Sequence, residues 1–156
     1  MIRISIPGSE DLILKHLVLD YNGTIAFDGI LYDSVKTVLP ELSDLIKIHV
    51  LTADTFGNVK QQIKDLPVNL HILTSDQQDK QKLEYVIKLG KENCICIGNG
   101  RNDKLMLKEA GLGIAVAQEE GVCTQTVLAA DIICKSVISA LELLLHPKRL
   151  IATLRV

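Results

Sequence analysis

The sequence predicts a three-layer α/β fold, in which a mainly parallel β-sheet is covered by helices on both faces. Short runs of β-branched residues alternate along the chain with stretches of helical periodicity, and this alternation with short links is typical of parallel sheets. Several predicted strands, such as Leu17-Val18-Leu19, are continuously apolar, as strands buried on both faces are. We expect residues 1–156 to form a single domain, because 156 residues is an ordinary domain length.

The predicted strands and helices follow one another in regular order. Strands are expected over residues 2–6, 12–19, 46–52, 69–73, 94–98, 112–117 and 131–134. Helices are expected over residues 33–45, 56–65, 77–90, 102–110, 122–129 and 136–145. The turn-forming segment 7–11 joins the first two strands, so we expect an antiparallel N-terminal hairpin that extends the sheet.

Composition excludes several classes of protein. Seventeen Lys and Arg residues against nineteen Asp and Glu residues give a net charge of −2, without the basic excess of nucleic-acid-binding proteins. No apolar run approaches the roughly 20 residues that span a bilayer, and the first residues lack a signal-peptide pattern. We therefore expect a cytoplasmic protein without membrane or nucleic-acid partners.

The four cysteines fit a cytosolic protein. None of them forms a Cys-x-x-Cys pair, and a free cysteine commonly behaves as a small hydrophobic residue. Cys94 and Cys96 share one face of a predicted strand, which leaves a metal-binding or redox pair there as the alternative.

Polar, glycine-containing loops follow three of the predicted strands. The first loop comprises residues 20–24, the second begins at Thr52, and the third comprises residues 98–103. In open α/β sheets, ligands bind beyond the carboxyl ends of the strands. The three loops are therefore expected to form one site at that edge of the sheet.

Two of these loops carry side chains with more than one interpretation. Asp20 follows a buried strand and Gly23 allows a close turn, so Asp20 is either a reactive carboxylate or part of an ordinary Asx-turn. The Thr52 hydroxyl could donate to a phosphate oxygen or cap the helix that follows.

The third loop and the helix over residues 77–90 add candidate anion and cation ligands. Asn102 and Asp103 open a helix, and free N–H groups at a helix start favour an anion. The Asp103 carboxylate suits a hard cation such as Mg²⁺. Lys80 and Lys82 lie near the start of the helix over 77–90; either could reach a phosphate, although most lysines only solvate a helix face.

Taken in order, these motifs resemble the haloacid dehalogenase (HAD) superfamily. The pattern is Asp-x-x-Gly-Thr at 20–24, a hydrophobic residue before Thr52, a lysine, and Gly-x-Gly-x-Asn-Asp at 98–103. The stretch 98–116 is similar to the phosphorylation domain of P-type ATPases. The resemblance covers essentially the whole chain and implies the Rossmann-like HAD fold of soluble, P-type-ATPase-like proteins.

The resemblance implies a role for each matching residue. Asp20 matches the nucleophile that becomes a phospho-aspartate, and the catalytic set would be Asp20, Asn22, Thr52 and Lys82. Lys82 is preferred to Lys80 because its spacing matches the family's helix. Phosphate contacts are expected from Asn22, Gly23, Thr52, Lys82 and Asn102. The implied cofactor is Mg²⁺, with ligands at Asp20, Asn22 (through its backbone carbonyl), Asn99 and Asp103.

Two asparagines depart from the family pattern. Asn22 stands where HAD phosphatases have the aspartate that protonates the leaving group and activates water; losing such help costs about 10²- to 10⁴-fold in rate. P-type ATPases have threonine there. Asn99 stands where the family has an acidic Mg²⁺ ligand. We therefore expect weak, generic phosphatase activity on a phosphorylated small molecule or macromolecule; the alternative is a catalytically impaired regulator that binds phosphate or metal.

Both departures lie in Asn-Gly dipeptides, Asn22-Gly23 and Asn99-Gly100. This dipeptide is prone to deamidation, because glycine does not shield the backbone N–H that closes the ring. A further hypothesis is that partial deamidation restores aspartate at one or both positions. An ordinary turn is the alternative interpretation.

The spacing of the motifs leaves no room for a cap domain, so an open site is expected. The segment 25–32 could form a short flap beside it. A related flap occurs in capless sugar-phosphate phosphatases that resemble this chain, such as those acting on KDO 8-phosphate, although their Asp-x-Asp signature is absent here. The apolar segment 138–145, followed by 150–152, is expected to pack as a helix and a strand; the alternative is an exposed patch for homo-oligomer formation.

Overall fold

The computed structural model describes residues 1–156 and contains ten strands and seven α-helices. The strands are β1 (Ile2–Ile4), β2 (Leu12–Leu14), β3 (His16–Asp20), β4 (Ala26–Phe27), β5 (Ile30–Leu31), β6 (Lys47–Thr52), β7 (Asn69–Ile72), β8 (Cys94–Gly98), β9 (Leu112–Val116) and β10 (Ile132–Cys134). The helices are α1 (Asp33–Ser43), α2 (Val59–Gln62), α3 (Gln78–Leu89), α4 (Lys104–Glu109), α5 (Thr124–Val127), α6 (Val137–Leu145) and α7 (Pro147–Leu154).

Six strands form the central sheet in the order β10-β9-β8-β3-β6-β7, and every pairing is parallel. The chain enters this sheet at β3, which lies between β6 and β8. It then adds β6 and β7 on one side and β8, β9 and β10 on the other. This change of direction opens a crevice beyond the carboxyl ends of β3 and β8, where ligands bind in such sheets.

Apolar side chains fill the space on both faces of the sheet, which confirms the three-layer arrangement. Leu17 and Leu19 of β3 belong to a large cluster shared with α1, α2, α6 and α7. Val18, between them, points to the opposite face and packs with residues of α3 and α4. This alternation within one strand explains why the run over residues 17–19 is apolar throughout.

The strand expected over residues 12–19 is divided at Lys15. The Lys15 N–H donates to Asn93 O at 2.8 Å, and its carbonyl accepts from Lys47 N at 3.1 Å. On the other side of Lys15, β2 pairs antiparallel with β1. The predicted hairpin is therefore confirmed, but it forms a separate two-stranded sheet and does not extend the central one.

Two other predicted elements differ from the structure. The strand expected over 150–152 is part of helix α7, which begins at Pro147, because proline is favoured in the first turn of a helix. The helix expected over 56–65 is reduced to α2, since Gly57 has a positive φ of 69° and interrupts it.

The apolar segment 138–145 lies in α6 and packs against the core. Ala140, Leu141 and Leu144 are buried there, as is Leu150 of α7. The packed interpretation of this segment is the correct one within the chain. None of the helices combines the length and apolar character that crossing a membrane requires.

Candidate active site

The centre of the candidate site is a buried lysine between two carboxylates. The Lys82 Nζ donates to Asp20 Oδ1 at 2.5 Å and to Asp103 Oδ1 at 2.6 Å. The exposed fractions of the side chains are 1% for Lys82, 10% for Asp20 and 0% for Asp103. The three groups come from the end of β3, the first turns of α3 and the start of α4, so the fold brings together residues distant in sequence.

Helix α3 aims Lys82, and not Lys80, into this cluster. Lys82 lies four residues before Val86, and both are buried on the inner face of the helix. Lys80 lies on the exposed face, where its Nζ donates to Gln77 Oε1 at 3.0 Å. Of the two lysines, Lys82 is therefore the one that reaches the carboxylates of Asp20 and Asp103.

Burial and the neighbouring charges shift the pKa values of Lys82 and Asp103. Burial by itself lowers the pKa of Lys82, but the carboxylates of Asp103 and Asp20 outweigh it and hold that pKa above its usual value. Burial, followed by the charge of Asp20, raises the pKa of Asp103 above its usual range, with Lys82 opposing them. The Lys82 side chain therefore stays positively charged at any physiological pH.

Backbone groups hold the second oxygen of Asp103. Its Oδ2 accepts from the N–H groups of Asn99 and Gly100 at 3.0 and 2.9 Å. A Cβ on Gly98 would collide with this carboxylate, so a side chain is excluded there. Both oxygens of Asp103 are thus engaged within the protein, and Asp103 lies beneath the surface of the site.

The oxygen atoms of Asp20 and Asn99 that lie beside the Thr24 hydroxyl are suitable ligands for a hard cation. The Thr24 hydroxyl lies 3.0 Å from Asp20 Oδ2 and 3.1 Å from Asn99 Oδ1. A hydroxyl has one proton, so it can donate to only one of these two oxygens at a time. Oxygen ligands of this kind are those that Mg²⁺ prefers, and Asp20 and Asn99 are two of the four predicted metal ligands.

A cleft of about 250 Å³ opens above this cluster at the carboxyl edge of the sheet. Its walls are formed by Asp20, Asn22, Thr52, Ala53, Thr55, Gln78, Asn99, Gly100, Asn102 and Glu120. The cleft therefore brings together residues of all three loops expected from the sequence. A larger cleft of about 400 Å³ lies at the opposite edge of the sheet, beside Lys15, His16 and Lys47.

The predicted phosphate-binding residues differ in what they offer to this cleft. Thr52 accepts from Asp54 N at 3.0 Å, which leaves its hydroxyl proton free to donate. The Asn102 amide donates to Gln78 Oε1 at 2.9 Å and retains a second N–H. The Gly23 N–H, in contrast, donates to Ala26 O at 2.8 Å, so Gly23 has no free backbone donor for a phosphate.

The same hydrogen bonds oppose the deamidation hypothesis. Deamidation requires the nitrogen of the following glycine to attack the asparagine side chain. The Gly23 N–H is bonded to Ala26 O, and the Gly100 N–H is bonded to Asp103 Oδ2 at 2.9 Å. Because both nitrogens are held by the fold, we expect Asn22 and Asn99 to persist as asparagines.

The segment 25–32 forms the expected flap. Strands β4 and β5 pair antiparallel, and the flap is tied to the loop that follows β9. The Tyr32 hydroxyl donates to Glu119 Oε2 at 2.7 Å, and the Asp28 N–H donates to Glu120 Oε1 at 3.0 Å. The flap and the loop after β9 therefore border the cleft together.

Sequence reasoning missed several residues of the site. Thr24 was noted only as the last residue of the Asp-x-x-Gly-Thr pattern, and Gln78 and Glu120 were not singled out. Glu120 could have been found, because it follows a predicted strand, and the carboxyl-end rule applies to that strand as well. Gln78 has no such signal, since its place in the cleft depends on how α3 packs.

Three of the four cysteines, Cys94, Cys96 and Cys134, are buried, and Cys123 is half-buried. All four cysteines are free, and Cys94 and Cys96 are buried in the apolar cluster beneath α3 and α4. Burial raises the pKa of the Cys94 thiol to about 12, as for a side chain that acts as a hydrophobic residue. No three His, Cys, Asp or Glu side chains converge as a metal-binding group.

Comparison with known proteins identifies the family. The model of the haloacid dehalogenase-like hydrolase family matches residues 35–137, and the chain belongs to this family. A probable copper-exporting P-type ATPase of Archaeoglobus fulgidus is 32% identical over 126 residues, which are 78% of this chain and 15% of the ATPase. An uncharacterized protein of Methanocaldococcus jannaschii is 49% identical over 78 residues, 47% of this chain and 84% of that protein.

Solved structures show the same fold. The 3-deoxy-D-manno-octulosonate 8-phosphate phosphatase of Moraxella catarrhalis, in complex with magnesium, phosphate and KDO, has a TM-score of 0.73 and 24% identity, over 92% of this chain and 95% of that one. The cobalt-bound Haemophilus influenzae phosphatase has a TM-score of 0.73 and 16% identity, over 92% and 94%. The HAD-like, P-type-ATPase-related assignment is thus confirmed, and no cap is inserted between β3 and α3.

Proposed function

We propose that this chain is a Mg²⁺-dependent phosphohydrolase or phosphotransferase that acts through a phospho-aspartate on Asp20. The observation that carries the proposal is the position of the Asp20 carboxylate. It lies in the wall of an open cleft, and one of its oxygens is bonded to the buried Lys82. Family membership supports the reaction class, because the family consists of HAD-like hydrolases.

The residues around Asp20 have separate tasks in this reaction. Asp20 attacks phosphorus, and Lys82 offsets the negative charge that gathers on the phosphoryl oxygens. Thr52 and Asn102 orient those oxygens with their free donors. The Asp20 carboxylate, the Asn22 carbonyl and Asn99 would hold Mg²⁺, with Asp103 supporting them from beneath. When bound, the ion supplies further positive charge at the phosphoryl group.

The predicted weakness of the activity remains part of the proposal. The Asn22 amide can neither give nor accept a proton, so turnover should be slow on substrates that need such help. The cleft is open because no cap covers it, which suits a large phosphorylated substrate or closure by a second subunit.

The proposal is tested with acetyl phosphate and p-nitrophenyl phosphate in the presence of Mg²⁺. Wild type, Asp20→Asn and Asn22→Asp are compared on protein whose asparagines have been verified by peptide mass mapping. We expect measurable turnover by wild type, none by Asp20→Asn, and a gain of about tenfold or more by Asn22→Asp. Beryllium fluoride with Mg²⁺ should form a stable adduct with wild type and with Asn22→Asp, but not with Asp20→Asn. Equal silence of all three proteins would overturn the proposal.

The second candidate is a regulator that keeps the fold without turnover. The amides of Asn22 and Asn99 favour it, because they remove two acidic groups from the site. This candidate predicts binding of phosphate or Mg²⁺ without a phosphoenzyme. Isothermal titration of wild type with each ligand, combined with the trapping experiment, separates it from the enzyme.

A sugar phosphate is the alternative substrate class. The flap over β4 and β5 and the likeness to the two octulosonate 8-phosphate phosphatases favour it. A panel of sugar phosphates, with p-nitrophenyl phosphate as the reference, tests this choice. If kcat/KM for every sugar phosphate is less than about tenfold above that for p-nitrophenyl phosphate, a difference of about 1.4 kcal/mol in activation free energy, the sugar-phosphate alternative is ruled out.

A further inference from the structure

The cleft contains one carboxylate that the proposed function does not use. Among its walls, only Asp20 and Glu120 carry a carboxyl group. Asn22 and Asn99 are amides, and Asp103 lies beneath with both oxygens hydrogen-bonded within the protein. If Asp20 is the nucleophile, Glu120 is the one remaining carboxyl group in the walls of the cleft.

The loop that carries Glu120 is fixed to the catalytic loops on both sides of this residue. Before it, the Gln118 amide donates to Thr24 O at 2.6 Å. After it, Gly121 O accepts from the Asn99 amide at 3.0 Å. Glu120 is therefore held over the two loops in which asparagine replaces the family's aspartate.

The Glu120 carboxyl group has one anchored oxygen and one free oxygen. Its Oε1 accepts from the Asp28 N–H at 3.0 Å, while Oε2 makes no hydrogen bond with the protein. Acidic residues surround it: Asp28 on the flap, whose N–H donates to it, the adjacent Glu119, which accepts from Tyr32 at 2.7 Å, and Asp20 in the same cleft. No lysine or arginine pairs with Glu120, so an ion pair does not occupy the free oxygen.

We propose that Glu120 transfers the protons that the Asn22 amide cannot, an inference that rests on the proposed function. As Asp20 bonds to phosphorus and the bond to the leaving oxygen breaks, the Glu120 carboxyl gives its proton to that oxygen. The resulting carboxylate then takes a proton from water as the water oxygen attacks phosphorus. The bond to Asp20 breaks, phosphate leaves, and Glu120 is again protonated.

The Glu120→Gln variant separates proton transfer from a structural role. Its amide oxygen can still accept from the Asp28 N–H, but it cannot exchange a proton with water. Each protein is phosphorylated with radiolabelled acetyl phosphate, whose acetate leaves without a proton, and the lifetime of the phosphoenzyme is measured. We expect Glu120→Gln to label at nearly the wild-type rate and to lose the label at least about 100-fold more slowly.

Two further variants complete the test. Glu119→Gln keeps the acceptor for Tyr32 and serves as the matched control, with a wild-type lifetime expected. Adding Asn22→Asp to Glu120→Gln should restore rapid loss of the label, because the new aspartate can take the proton from water that the Glu120→Gln amide cannot. Equal lifetimes in wild type and Glu120→Gln would overturn this inference alone. Absence of label at Asp20 in wild type would overturn it together with the proposed function.

Discussion

Replacing Lys82 by methionine tests the balance of charge beneath the cleft. Methionine keeps an unbranched apolar chain of similar length, but it leaves the carboxylates of Asp20 and Asp103 without their shared cation. The Lys82 Nζ lies 2.5 and 2.6 Å from these carboxylates, and its side chain is 1% exposed. Removing one partner of a buried ion pair costs about 3–5 kcal/mol, so we expect the free energy of unfolding to fall by about 4 kcal/mol.

Urea denaturation near neutral pH, in the absence of divalent cations, measures this change. Lys80→Met is the matched control: its lysine contacts only an exposed glutamine, and we expect a change within about 0.5 kcal/mol. By thermal unfolding, Lys82→Met should melt about 8–16 °C below wild type, given the usual shift per kcal/mol for a chain of this length.

A double variant, Lys82→Met with Asp20→Asn, tests whether repulsion between the two carboxylates is the cause of the instability. Adding Asp20→Asn removes one of the two facing charges, so the double variant should regain about half of the lost 4 kcal/mol. A free energy of unfolding for Lys82→Met within about 0.5 kcal/mol of that for Lys80→Met would refute the reasoning. A double variant no more stable than the single one would refute the repulsion argument.

Two further predictions concern the folded state. The ring of His49 lies 3.0 Å from His16 and 2.9 Å from the Tyr85 hydroxyl, and burial, followed by His16, lowers the pKa of His49 to about 4. A histidine in the unfolded chain has a pKa of about 6.5, so the unfolded chain binds more protons than the folded protein between about pH 4 and 6.5. The free energy of unfolding should therefore fall by about 2 kcal/mol as the pH drops from about 6.5 to about 4. Urea titrations at several pH values measure this slope, and His49→Gln should flatten it. Gly98→Ala should cost about 1–3 kcal/mol, since its Cβ would collide with the Asp103 carboxylate, and an unchanged melting temperature would contradict this.

Local patterns were sufficient to predict the central sheet and the loops that form the site. The apolar run at 17–19 and the polar residues after it place Asp20 at a strand end without further information. The preference for Lys82 over Lys80 came from the resemblance, since the spacing of Lys82 and Val86 matches the family's helix, and in the structure both residues are buried on the inner face of α3. These features depend only on the order of residues along one element.

The features that sequence reasoning missed depend on contacts between distant segments. The division of a strand at Lys15 results from hydrogen bonds to Asn93 and Lys47, which no local pattern shows. The helix α7 replaced the expected strand at 150–152 because Pro147 starts a helix that buries Leu150. The role proposed for Glu120 likewise arises only when the loop after β9 is tied to the flap.

The two asparagines have an electrostatic consequence that goes beyond the loss of catalytic groups. With Asn22 and Asn99, a single lysine faces two carboxylates, so the cluster of Lys82, Asp20 and Asp103 carries a net charge of −1. Aspartate at both positions would add two negative charges to the same small volume. Like charges at such distances destabilise one another unless a cation is bound. We therefore expect the asparagines to reduce the dependence of this site on Mg²⁺ for folding, and to weaken metal binding and slow proton transfer in return, a trade-off common at active sites.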